Sequence, residues 1–445
     1  MSPNKNRLNR PIRLAIMISL IFLFFIISPI VILYTTGYRY DFNNREIYKT
    51  GVISIDAEPE DAKVYLNDVQ INKSMPIRLT NRAPGTYKLK IQKEGYKDWE
   101  KDITVESTKT TYIRDITLFK DALPVNILEN ITGNIKDVYS SYDGKYILLI
   151  IEEEGLHEIK IYNTETEEIN TIARRNDDDE IDISWSPYSN YVLIKTIKNN
   201  TTQIQILNVE DLHSANNITT ENFQNVDYQW QENTLAPSLF INDNGIIYRM
   251  TANFINEFAK VTSTDIWYFD NNNELWVYKN NPSSLQNTGR DNLYYSVPKN
   301  INKIVDINDS RAILASENQV YVLNLNDDNE NNITKIDSKE MFFNNNTKEW
   351  ICWSDFEIWS IYENGNIKLL NRTGDKNKFI RPMDEYGVLV VATENSIYGF
   401  NPGYYITHQL FYGEQIDKIA VNKKTRYIYF LGKVGQKKGL FKLEY

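Results

Sequence analysis

The sequence predicts an all-β protein behind one N-terminal transmembrane helix: a small β-domain, then a β-propeller of eight blades, with seven as the alternative. Three observations predict this. An uncharged apolar run occupies Leu14 to Tyr34, period-two alternation begins at Thr50, and short strand pairs recur beyond Leu123-Pro124. Composition agrees. The 445 residues include 30 Tyr, 18 Phe and 8 Trp, which with abundant Ile, Val and Thr favour strands. A mean hydropathy of −0.47 excludes a multi-span membrane protein. A hydrophobic fraction of 42% with 24% charged residues is that of globular domains and not of a disordered chain.

The apolar run is LAIMISLIFLFFIISPIVILY, 21 residues. A helix of that length spans about 31 Å and matches a ~30 Å hydrocarbon layer. Pro29 inside it is compatible with a membrane helix and predicts a kink. The rival reading, a cleaved signal peptide, needs a shorter apolar region and a small-residue cleavage site, and Tyr34-Thr35-Thr36-Gly37 lacks the latter. Lys5, Arg7, Arg10 and Arg13 precede the run with no acid among residues 1–13. The positive-inside rule therefore predicts residues 1–13 as a cytoplasmic tail, 14–34 as the membrane helix, 35–49 as a linker and the rest outside the cell membrane. Without those four bases the exported part carries 45 basic against 59 acidic residues. That excess of negative charge argues against nucleic acid and against anionic surfaces as partners.

From Thr50 the sequence alternates: Val52-Ile53-Ser54-Ile55, Ala62-Lys63-Val64-Tyr65-Leu66, Thr86 to Ile91, and Ile103-Thr104-Val105. Such runs predict antiparallel strands with one wet face. Asn67-Asp68 and Pro84-Gly85 are turn positions, and Trp99 covers the small core. The motif Pro59-x-x-Ala62-x-Val64-x-Leu66-Asn67-Asp68, followed by Pro76-Ile77-x-Leu79, Pro84-Gly85-x-Tyr87-x-Leu89-x-Ile91 and Gly95-Tyr96, resembles the PEGA domain over residues 50–119. Asp61 stands where that family has glycine, which requires a turn that Asp can adopt. The resemblance implies a small β-sandwich of bacterial surface proteins, serving as a binding or spacer module without catalysis.

Residues 124–445 are read as the propeller. Eight strand pairs, among them Tyr146–Ile150 with Glu158–Tyr162, Ile266–Phe269 with Glu274–Tyr278 and Glu357–Ile361 with Ile367–Leu370, divide this part into units of about 40 residues, the spacing of blades. Asp143-Gly144, Asn244-Gly245 and Asn364-Gly365 supply positive φ for tight hairpins. Ile181-Asp182-Ile183-Ser184-Trp185-Ser186-Pro187 and Ser141-Tyr142-Asp143-Gly144 resemble the turns of TolB-like and WD40-like propellers, at the level of architecture. The last unit lacks an outer strand, and Val125-Asn126-Ile127-Leu128 is expected to supply it and close the ring. The stretch 227–280 is irregular, and a merger there gives the seven-bladed alternative.

No catalytic motif emerges, so catalytic, metal and cofactor residues are all predicted as none, and the binding residues are left open. Glu152-Glu153-Glu154, Asp177-Asp178-Asp179-Glu180 and Asp327-Asp328-Asn329-Glu330 lack calcium-loop spacing and are read as solvated hairpin loops. His157, His213 and His408 are read as exposed neutral histidines, and Cys352 as a buried small residue. Asn130-Ile131-Thr132 and Asn371-Arg372-Thr373 mark loops. Trp185, Trp230, Trp267, Trp276, Trp350, Trp353 and Trp359 are read mostly as blade packing, with one or two at a rim able to stack on a sugar. These readings point to a membrane-anchored cell-surface binding or scaffolding protein whose propeller engages an envelope protein or glycan. The alternatives are an envelope glycan hydrolase or lyase using channel carboxylates, and a structural spacer.

Overall fold

The computed structural model describes residues 10–41, 45–128, 133–187, 189–199, 201–214, 217–224, 226–231, 238–251, 254–289, 294–326 and 332–445. It divides into two compact units, Met1–Asp121 and Ala122–Tyr445.

In the first unit a 26-residue helix, Arg10–Thr35, is exposed along almost its whole length and is long and apolar enough to cross a membrane. It begins four residues before the uncharged run, because Pro11 fits the first turn of a helix and the polar flank continues the same backbone. The segment expected as a linker carries a two-stranded hairpin, Tyr38–Asp41 with Glu46–Lys49.

The small domain is two sheets. One has four strands, with Lys63–Leu66 between Val69–Ile71 and Gly85–Gln92, and Trp99–Val105 at the edge. The other has Gly51–Glu58 between Ile77–Arg82 and Thr110–Thr117. The expectation of antiparallel strands needs correction here: Gly51–Glu58 and Thr110–Thr117 run parallel. Alternation reports which face a side chain takes and carries no direction. Ile53, Ile55, Leu89 and Ile91 are fully buried, and Trp99 is 2% exposed over them. Asn67 (φ 49°) and Asp68 (φ 63°) both take left-handed geometry, the type I′ turn that a two-residue hairpin needs. Asp61 does not take it, so the replaced glycine demands nothing special, and its carboxylate instead meets Lys93 Nζ at 2.5 Å.

In the second unit, eight four-stranded antiparallel sheets follow one another among the described residues. We number them blades 1 to 8: 134–176, 180–223, 226–260, 266–296, 303–337, 340–372, 379–412, and 414–444 completed by Val125–Asn126. The stretch 227–280 holds parts of two separate sheets. In blade 4 the strand pair read from sequence is the first and second strand, and in blade 6 the third and fourth. Several strands of each blade carry apolar side chains, so hydrophobicity alone does not identify a strand's place.

Each blade packs on the next. Leu148 and Ile150 of blade 1 meet Val192 and Ile194 of blade 2, while the intervening Ile147, Leu149 and Ile151 meet Tyr429, Leu431 and Leu440 of blade 8. The same alternation carries blades 2 to 7. Blades 7 and 8 join through the Phe411 and Phe430 rings, 5.4 Å apart, and through Tyr445, whose hydroxyl donates to the Met383 carbonyl. The ring therefore closes. Val125 and Asn126 pair with Lys442 and Phe441, and Ile127 N–H donates to Leu440 O at 3.0 Å. Gly144 (φ +73°) sits at the seam between blades 1 and 8, where a Cβ would lie 1.9 Å from the Val421 carbonyl oxygen.

Candidate functional site

The first strand of each blade faces the ring's centre, where a cavity of about 1450 Å³ is lined by residues of all eight blades. The inner strands run in one direction, so equivalent positions form tiers. Ser141, Ser186 and Gln231 close the first hairpins of blades 1 to 3 by donating N–H to the carbonyls of Tyr146, Tyr191 and Ser238. Four residues before each stands an aspartate: Asp137, Asp182 and Asp227, 45 residues apart. Three neighbouring blades thus place a carboxylate on one tier.

The inner wall is stitched from blade to blade. Lys418 Nζ of blade 8 lies 3.0 Å from Asp137 Oδ1, and Tyr139 donates to the other oxygen at 3.0 Å. Tyr228 of blade 3 donates to Asp182 Oδ2 at 3.2 Å, and Trp230 Nε1 to Ser184 Oγ at 3.0 Å. Gln229 clamps blade 4: its Nε2 donates to Phe269 O at 2.7 Å, and its Oε1 accepts from Phe269 N–H at 2.9 Å. Asp306 of blade 5 accepts from Arg311 Nη1 at 2.9 Å and from Trp350 Nε1 of blade 6 at 2.7 Å. Arg311 is 1% exposed and also donates from Nε to Tyr362 O at 2.9 Å, so both its charge and its planar fork are used.

Some groups in the wall have no such ties. Asp227 accepts a hydrogen bond from the adjacent Tyr228 N–H at 3.0 Å and makes no ion pair among the described residues. Its carboxyl is pushed up by enclosure in the channel wall, a push opposed by that N–H and by the charges of Lys303 and Lys195. Lys303 lines the cavity, is exposed to it and has no hydrogen-bond or ion-pair partner among the described residues. Arg381 donates to its own chain at Ile380 O, 2.8 Å away; burial lowers its pKa and the Glu340 charge opposes this. Burial likewise lowers the pKa of Lys423, against the charge of Asp384. Burial raises the Tyr228 hydroxyl, reinforced by Asp182. The cavity wall carries seven Lys or Arg side chains against six Asp or Glu, near neutrality in a chain of net charge −10.

Of the tryptophans read from the sequence, Trp230, Trp267 and Trp350 line this cavity. Trp353 is buried between blades 6 and 7, and Trp276 is tied to Asp270. Trp267 Nε1 is buried without a hydrogen-bond partner. Cys352 is fully buried, and burial pushes its thiol up to about 12, which leaves it inert. His213 is exposed and His408 half-buried. His157 corrects the expectation of an exposed imidazole: it is 8% exposed, with Nε2 3.0 Å from Asp177 Oδ1 and 3.1 Å from Lys136 Nζ. A β-bulge between Ile135 and Asp137 puts Lys136 outside the ladder, a displacement hydropathy does not foreshadow. Glu152, Glu153 and Glu154 end a hairpin in which Glu154 has φ 51°. Asp327-Asp328-Asn329-Glu330 and Asn130-Ile131-Thr132 lie outside the described residues. No group of three or more His, Cys, Asp or Glu side chains among the described residues is placed to hold a metal ion. The sequence reading passed over the channel residues, although the 45-residue recurrence of Asp was there to find.

The PEGA domain profile matches residues 50–121. A second profile, described as eukaryotic translation initiation factor eIF2A, matches residues 99–260, which include blades 1 to 3. A search of curated proteins found no match. Among solved structures the chain is similar to the Cps50 (Swd1) β-propeller domain of Myceliophteria thermophila, at 9% identity over 72% of this chain and 98% of that one, with a TM-score of 0.43. It is similar to Kluyveromyces lactis Hsv2 at 12% identity over 71% and 98%, TM-score 0.38. An uncharacterized protein of Listeria monocytogenes EGD-e aligns at 12% identity over 67% and 89%, TM-score 0.36.

Proposed function

We propose that this chain is a single-pass, membrane-anchored binding protein of the cell envelope, whose propeller engages an envelope protein or glycan through its central channel. The observation that carries the reading is the channel itself, a cavity of about 1450 Å³ whose wall offers unpaired charged groups from several blades. Support for the anchor comes from the apolar helix Arg10–Thr35 and the bases before it, and the PEGA match fits a module on the outer side. Binding is favoured over hydrolysis because two of the carboxylates that line the channel, Asp182 and Asp306, are already engaged as acceptors by Tyr, Arg and Trp donors.

A photo-crosslinking residue at Tyr142, which is 48% exposed and lines the cavity, tests this in the full chain in native membranes. A discrete adduct is expected there and none from Tyr412, 70% exposed on the outermost strand of blade 7. Equal labelling from both positions, or from neither, defeats the channel as the binding site.

A further inference from the structure

Resting on the binding reading above, we infer that the channel takes an uncharged saccharide segment, gripped between Asp227 and Lys303. Both side chains are exposed to the cavity, and neither makes an ion pair among the described residues. The wall therefore presents a strong acceptor on blade 3 and a strong donor on blade 5. Hydroxyl groups satisfy both, since each donates one hydrogen bond and accepts others. A cationic ligand would be served by Asp227 and repelled by Lys303, and an anionic one the reverse.

The near balance of charge in the wall argues the same way. A site for a strongly charged partner concentrates one sign, whereas here seven bases face six acids. Tyr228, Trp230, Phe342 and Phe343 also line the cavity, and their half-buried rings offer some apolar surface to the C–H faces of a sugar. The volume, about 1450 Å³, exceeds the ~300–1,000 Å³ of ordinary small-ligand pockets. It suits several linked rings better than one.

The test is calorimetric titration of the full chain in detergent with neutral hexasaccharides of the cello, malto and chito series. Binding is expected for at least one series, and its affinity should change little between about 50 and 500 mM salt, because no ion pair forms with the ligand. Asp227→Asn and Lys303→Gln should each weaken that same ligand by about five- to tenfold, the loss of one good hydrogen bond. Opposite effects of the two substitutions on the bound ligand mean a charged ligand and overturn the inference. If no saccharide binds while Tyr142 crosslinks a protein, the saccharide inference falls and the binding reading stands; if both experiments fail, both fall. Melting curves of the two variants guard against misfolding, and Asp182→Asn, with its Tyr228 contact, repeats the measurement on a third side chain.

Discussion

The small domain and a propeller blade both contain a four-stranded antiparallel sheet, yet they bury it differently. In the small domain's four-stranded sheet the strand Trp99–Val105 reads alternately buried and accessible along its length, because one face meets the partner sheet and the other meets solvent. In blade 1 six consecutive residues, from Tyr146 to Ile151, are buried. Leu148 faces blade 2 and Leu149 faces blade 8, so both faces of the sheet are interior. A blade is wet along its inner strand at the channel and along its outermost strand, such as Ile255–Lys260 of blade 3, and Asp227 and Lys303 stand at the inner margin. The difference teaches that a ring relegates function to strand edges, while a sandwich leaves a whole sheet face for it.

Three experiments would break or sharpen this contrast. The largest effect is expected from Asp306→Ala. It leaves Arg311 charged, 1% exposed and without its carboxylate, and should cost about 3–5 kcal/mol in denaturant unfolding, restored in part by adding Arg311→Met. Removing the Lys93 partner with Asp61→Ala, in the open small domain, should leave the midpoint where it was. A channel network that tolerated Asp306→Ala equally well would erase the distinction.

Next, Leu148→Ala and Leu149→Ala should each destabilise by roughly 3 kcal/mol, although they are sequence neighbours. In the small domain Ile55→Ala should cost a similar amount, whereas Asp56→Ala, on the wet face, should stay within about 0.5 kcal/mol. The smallest effect carries a sign. The folded Asp227 carboxyl is raised above its unfolded value of 3.8, so the native state holds that proton more tightly and loses stability as pH rises through that interval. Asp227→Asn should therefore raise the melting temperature at pH 7 slightly, an effect that water in the channel screens, with the gain vanishing below about pH 4. A fall at pH 7 would show that the ionised carboxylate supports the fold.

Much of this organisation was legible in the residues. The apolar run announced the helix, the Pro-Gly-x-Tyr and Gly-Tyr elements announced the small domain, and the recurrence of strand pairs announced the repeats. Val125-Asn126 was legible as a closing strand because the last unit was one strand short. His157 was misread, since a single imidazole near an acidic run gives no hint that a bulge will bring Lys136 over it. The channel was not legible as a site, because its residues come from strands scattered over nearly three hundred positions.

The sequence by itself determined which segments are apolar, where the chain turns and how often the unit repeats, because these depend on local propensity and period. Only the tertiary structure decided that Gly51–Glu58 pairs in parallel with Thr110–Thr117, which strand of each blade lies innermost, and that Asp227 and Lys303 share one cavity wall. Those outcomes follow from packing between distant segments. A side chain's alternation tells it which face to take, and the neighbours that the ring brings to that face decide what it meets.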